Sequence, residues 1–145
     1  MKCQEKWVMD SAASICVCKD QGAFDTLQIN GDFGHVNVGD GLKLKVEGVG
    51  SVRMKLHDDT IRILKIVRYV PKACSNIISL GVLTMQGNRY VGSGKWCKVY
   101  RGSNLVLQGV KMKNNICYVD GYSMKRSEVR KTDIKKKVRL SLNMK

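Results

Sequence analysis

Histidine, proline and aromatic residues are scarce in this chain: two histidines, one proline and 6% aromatics among 145 residues. His35 and His57 are far apart in sequence. Each is expected to be a surface or strand residue with no catalytic partner nearby, and no pair of histidines has metal-finger spacing. No stretch approaches the ~20 apolar residues that a membrane-spanning helix needs. The opening MKCQEKWVMDS lacks the ~7–15-residue apolar run of a signal peptide. An intracellular, cytoplasmic protein without a membrane partner is therefore expected. In that setting the six cysteines (Cys3, Cys16, Cys18, Cys74, Cys97, Cys117) are expected to be free thiols that serve mostly as small apolar fillers. Cys16-x-Cys18 has no second pair to complete a metal site, so neither metal nor cofactor is expected.

Acidic residues are also few, 12 against 26 basic ones, for a net charge of +14. Half of that charge sits at one end. From Tyr122 onward nine basic residues face Glu128 and Asp133, giving +7 over 24 residues. Such a surplus favours polyanions without specifying one. Nucleic acid is one partner this stretch would suit, and a solvated tail is the other reading. Beyond Tyr122 nothing is aromatic, so base stacking is not provided for.

What remains is mostly alternation. Leu42 to Glu47, Val52 to Leu56 and Ile61 to Val70 place apolar residues on one face at period two. Trp96 to Tyr100, Leu105 to Leu107, Val110 to Met112 and Ile116 to Val119 read as further short strands. Gly39-Asp40-Gly41, His57-Asp58-Asp59, Arg101 to Asn104 and Lys113-Asn114-Asn115 read as the turns between them. Strands spaced about ten residues apart suggest an all-β barrel or sandwich. One short helix is expected over Ile77 to Met85, capped by Ser75-Asn76 and ended by Gln86-Gly87. Composition divides the chain into a domain over 1–121 and a basic tail over 122–145, helical or disordered.

The chemistry rests on WVMDSAAS, Trp7 to Ser14: a strand that delivers one carboxylate, Asp10, into a turn of small side chains. Three later stretches fall into line with it: Val38-Gly39-Asp40-Gly41 with Val46-Glu47-Gly48-Val49-Gly50, then Tyr69-Val70-Pro71 through Asn76-Ile77-Ile78-Ser79-Leu80-Gly81, then Cys117-Tyr118-Val119-Asp120-Gly121. This succession resembles the protease region of copia-type retrotransposon Pol polyproteins, including the Tnt-type β-barrel domain, over about Trp7 to Gly121. The resemblance implies a retropepsin-like closed β-barrel and an aspartic endopeptidase that processes a polyprotein substrate. Two carboxylates must share a proton and activate one water in such an enzyme. A chain with one Asp10 must then act as a homodimer with its site on the two-fold axis. The resemblance further implies that Ser11 bonds across the paired loops, that Ala12 and Ala13 let them pack closely, and that Gly81 belongs to the segment beside the loop. Leu42 to Leu56 would be a flap hairpin with Gly48 and Gly50 at its tip; alternatively these glycines mark bulges in a barrel strand.

Two residues depart from the family pattern. Ala12 replaces glycine after Asp-Ser, which would cost strain if the loop needs positive φ, and Cys16 replaces a histidine. The family's Cys-Cys-His-Cys knuckle and integrase are not among these residues, so an excised or decayed piece of a polyprotein is expected. Whether Asp10 works as a peptidase, or the domain is an inactive β-barrel relic, is left open by the residues. The other acids in similar settings, Asp25 before Thr26 and the pair Asp58-Asp59, are read as structural.

Overall fold

Asp10 ends the first strand, and the fold is best followed from there. The computed structural model describes residues 6–38 and 41–125. The first strand, β1 (Trp7–Asp10), buries Trp7 and Met9 and leaves Val8 and Asp10 half-buried, the alternation expected of a strand with one core face. β2 (Val17–Cys18), a single 3-10 turn (Gln21–Ala23), β3 (Phe24–Gln28), β4 (His35–Asn37) and β5 (Lys43–Lys45) follow. Next come the long hairpin β6 (Gly48–Leu56) and β7 (Ile61–Tyr69), then β8 (Asn76–Ser79) and α1 (Leu80–Met85). The chain finishes with β9 (Arg89–Ser93), β10 (Trp96–Arg101), β11 (Asn104–Lys111), β12 (Cys117–Val119) and β13 (Gly121–Ser123). The reading of 122–145 as a tail falls, from residue 126 on, outside the described residues. Before that point Met124 is buried against Ile61, and the Lys125 ammonium pairs with the Asp20 carboxylate.

Eleven strands form one sheet, in the order β13-β6-β7-β2-β8-β1-β12-β11-β10-β9, with β3 added on β6. β4 and β5 form a separate hairpin. All-β with one short helix is therefore the architecture, but the expected closed barrel is not found among the described residues. The second edge of β6 is occupied end to end, by β3 along Val49 to Val52 and by β13 along Met54 to Leu56. No length of that edge remains for β9, which pairs with β10 alone. The principal core gathers Trp7, Phe24, Met54, Leu64, Ile78, Leu83 and Leu107 from across the sheet. A smaller cluster of Val17, Val46 and Val70 receives Phe33, Val36 and Leu44, and so seats the β4–β5 hairpin on the sheet.

Four further sequence readings change. The helix starts at Leu80 rather than Ile77, because Asn76 to Ser79 pairs in parallel with Trp7 to Asp10 and the isoleucines enter a ladder that suits β-branched side chains. Leu105 to Leu107 and Val110 to Met112 join as one strand through Gly109, where a Cβ would stand 2.4 Å from Met9 Sδ. Cys97 and Cys117, expected to be free thiols, form a disulfide, their Cα atoms 6.6 Å apart. Cys97 registers with Gly109, whose missing side chain leaves the inner face of β11 low between β10 and β12. Among the described cysteines, Cys16 and Cys74 are free thiols, and Cys18 Sγ donates to Asp20 O at 3.6 Å.

The glycines placed at a flap tip are the fourth. The hairpin turns at His57 to Asp59, and Gly48 and Gly50 lie inside β6, between β3 and β7. Both ladders shift register next to Gly50, the bulge alternative. A Cβ there would meet Thr26 O at 1.8 Å, a backbone atom that cannot step aside. Gly50→Ala is thus expected to destabilise by roughly 2–3 kcal/mol, with Tm falling on the order of 10 °C in a thermal melt. Gly81→Ala, whose added methyl meets Ala13 O and Ser79 Oγ at an ordinary 3.7 Å, is the control and should move Tm by less than about 3 °C.

Candidate active site

The loop after β1 is built by its own side chains. Asp10 Oδ1 accepts the Ala12 N–H at 2.8 Å, which folds the chain into a turn directly after the strand. Ser11 and Ala12 are exposed on it and Ala13 is half-buried. Asp59 and Asn115 are the non-glycine residues with positive φ among those described. Ala12 is therefore outside the left-handed region, and the loop carries no backbone strain for want of a glycine.

The loop is then clamped from β8. Register places Ser79 opposite Asp10. The buried Ser79 hydroxyl donates to Ala13 O at 2.7 Å and accepts the Val82 N–H at 3.0 Å, so one side chain caps α1 and ties down the loop. The Ser79 N–H in turn donates to Cys16 Sγ at 3.3 Å. Burial pushes the Cys16 thiol up to about 11, against smaller opposing pulls from the Ser79 N–H and the Arg68 charge. Asn76 does similar work lower on β8: its Oδ1 accepts the Lys19 N–H at 2.9 Å and its Nδ2 donates to Lys6 O at 3.3 Å.

The structure thus gathers Asp10, Ser11, Ala12 and Ala13 on one loop and sets Gly81 on α1 beside it, with an added Cβ there facing Ala13 O. It does not bring Gly48 or Gly50 into this group. Ser79 and Asn76 are the residues the sequence reading missed in these roles: Ser79 fell inside the expected helix, and Asn76 read as its cap. The other acids are engaged elsewhere. Asp25 Oδ2 lies 3.1 Å from Arg53 Nε. Asp58 accepts the Thr60 hydroxyl at 2.6 Å and its N–H at 3.1 Å, a pairing that lowers its carboxyl. No salt bridge involves Asp10 among the described residues.

Beside the loop lies a cavity of about 380 Å³, walled by Ala12 to Ile15, by the β4–β5 hairpin, and by Val17, Arg68 and Ile77. A second, of about 420 Å³, lies at the other end of β1, among Lys6, Lys55, His57, Asp120 and Tyr122. Among the described residues no group of three His, Cys, Asp or Glu side chains is placed to hold a metal ion, and no helix is long and apolar enough to cross a membrane.

An open, mostly antiparallel β-domain that presents one aspartate on a clamped loop is the class this geometry defines. The chain belongs to the family of Pol polyprotein β-barrel domains, whose match runs from residue 7 to residue 88 and takes in the loop, the β4–β5 hairpin and the Ser79 clamp. It is 32% identical over 108 residues to the "Retrovirus-related Pol polyprotein from transposon TNT 1-94" of Nicotiana tabacum. The aligned stretch is 74% of this chain and 8% of that polyprotein. No solved structure matches. The copia-type resemblance drawn from the motifs is borne out by both matches.

Two outcomes test the clamp. Ser79→Ala removes a helix cap and leaves the Ala13 carbonyl without its donor, and should cost about 2–3 kcal/mol in urea denaturation. The Cys16 thiol gives a pH signature. The folded protein holds this proton to about 11, whereas the ordinary value is 9.0. The neutral thiol's contribution is complete below pH 9 and is lost as pH rises through 11. Wild type should lose about 2–3 kcal/mol more than Cys16→Ala between pH 8 and pH 11, read as the difference in urea midpoints.

Proposed function

We infer that this domain is one half of an aspartic endopeptidase site of retropepsin type, completed by a second copy of the chain, and that its substrate is a polyprotein. The observation that carries the reading is the Asp10 loop: a carboxylate at a strand end with no salt bridge among the described residues, its loop fixed by the Ala12 N–H and by the Ser79 clamp on Ala13 O. Peptide hydrolysis of this kind needs a water held between two carboxylates that share one proton. One takes a proton from the water while the other gives its proton to the scissile carbonyl. A single Asp10 supplies one of these, so two loops must face each other across a two-fold axis. Exposed Ser11 and small Ala12 and Ala13 suit that approach. The β4–β5 hairpin, set over the adjacent cavity, takes the covering role first expected of Gly48 and Gly50. Without a strained φ at Ala12, the alanine adds a methyl group but does not distort the carboxylate's support.

Purified chain, Asp10→Asn and Ala12→Gly should be incubated with peptides spanning a copia-type polyprotein between about pH 4 and 7. Wild-type cleavage that is abolished in Asp10→Asn is the expected result. Activity appearing only in Ala12→Gly would instead identify a domain silenced at one residue. No cleavage by any of the three would overturn the peptidase reading.

A further inference from the structure

The cavity beside the Asp10 loop contains a charged group that hydrolysis does not require. Its wall combines apolar Ile15, Val17, Phe33, Val36, Val46 and Ile77 with polar Ser14, His35 and Asn37, and Arg68 is set into it. The Arg68 main chain is fixed from both sides. It registers with Val17 on β2 and Val49 on β6, and its N–H donates to Cys16 O at 3.0 Å. The residue is half-buried, and no carboxylate among the described residues lies within salt-bridge distance of it. Among the described residues the other titratable group in the lining is His35, and none of the lining residues described is an acid.

A half-buried guanidinium, with no carboxylate among the described residues within salt-bridge distance, attracts a carboxylate more strongly than one in open water. The surroundings screen the pair less, and the planar fork can hold both oxygens. We propose that Arg68 selects an acidic side chain, glutamate or aspartate, in an otherwise apolar peptide bound beside the Asp10 loop. The methylenes of that side chain and its neighbours lie on the valine and isoleucine wall while the carboxylate meets the guanidinium. This rests on the peptidase reading for what the bound peptide is, but the binding preference is measured without cleavage.

Fluorescein-labelled octapeptides, apolar except for one glutamate or glutamine moved through the four central positions, would be titrated against Asp10→Asn by anisotropy. Glutamate should bind about tenfold tighter than glutamine at one position. Arg68→Gln should abolish that preference, and Arg68→Lys should keep part of it. Raising salt on the Asp10→Asn protein should shrink the preference, a measurement that stands even where an Arg68 variant fails to fold. Equal binding of glutamate and glutamine at every position, a preference that survives Arg68→Gln, or no binding of any peptide would overturn the proposal. Wild-type cleavage of the same peptides, run in parallel, separates the two readings. Cleavage without a glutamate preference overturns the Arg68 proposal alone. A preference with no cleavage of either these peptides or the polyprotein-spanning ones overturns the peptidase reading and leaves Arg68 as a carboxylate-binding residue.

Discussion

Four residue pairs of parallel ladder, Trp7 to Asp10 against Asn76 to Ser79, are the constraint on which the rest of this structure depends. On the core side the ladder sets Met9 so close to β11 that only glycine fits at residue 109. At its end it brings Ser79 level with Asp10. A hydroxyl is then enough to do two tasks, because the same oxygen that caps α1 reaches the loop carbonyl. A glycine at residue 79 would leave both groups to find other partners. The loop's rigidity therefore comes from strand pairing and one buried hydroxyl, with the main chain in ordinary conformations throughout.

The sheet is open for a reason equally local. β6 is long enough to receive two short strands on one edge, and β3 and β13 both use it. The β4–β5 hairpin, closed at its base by Val46 N–H to Gly34 O, is joined to this frame differently, through the small valine cluster and the backbone bond from Glu47 N–H to Tyr69 O. Few buried contacts and separate pairing make it a local unit, of the kind that opens more easily than a central strand.

The central strands of this fold were legible because they alternate. Val52 to Leu56, Ile61 to Val70 and Trp96 to Tyr100 have one face in the core and show it. β4 and β9 escaped because His35-Val36-Asn37 and Arg89 to Ser93 hold too few apolar residues to alternate over the length of a strand. Ile77-Ile78 after Ser75-Asn76 satisfied the local rules for a helix start, and only the distant partner Trp7 to Asp10 decided otherwise, a tertiary choice overriding local preference. The disulfide was hidden for a related reason, since pairing of cysteines depends on which strands curl together. Asp10 itself was visible as a lone acid before small residues. Its clamp was not, because Ser79 is 69 positions away in a segment whose sequence reads as a helix start.

The position of β1 in the ladder also affects the order of events during synthesis. Its two neighbours are β8 and β12, made much later in the chain. Ribosomes add about 5–20 residues per second, so for several seconds the strand bearing Asp10 exists with neither neighbour. Contacts so distant in sequence also close slowly once available. Within this domain the aspartate is translated before either strand that flanks it, and its loop is enclosed only once almost all of the sheet has been made.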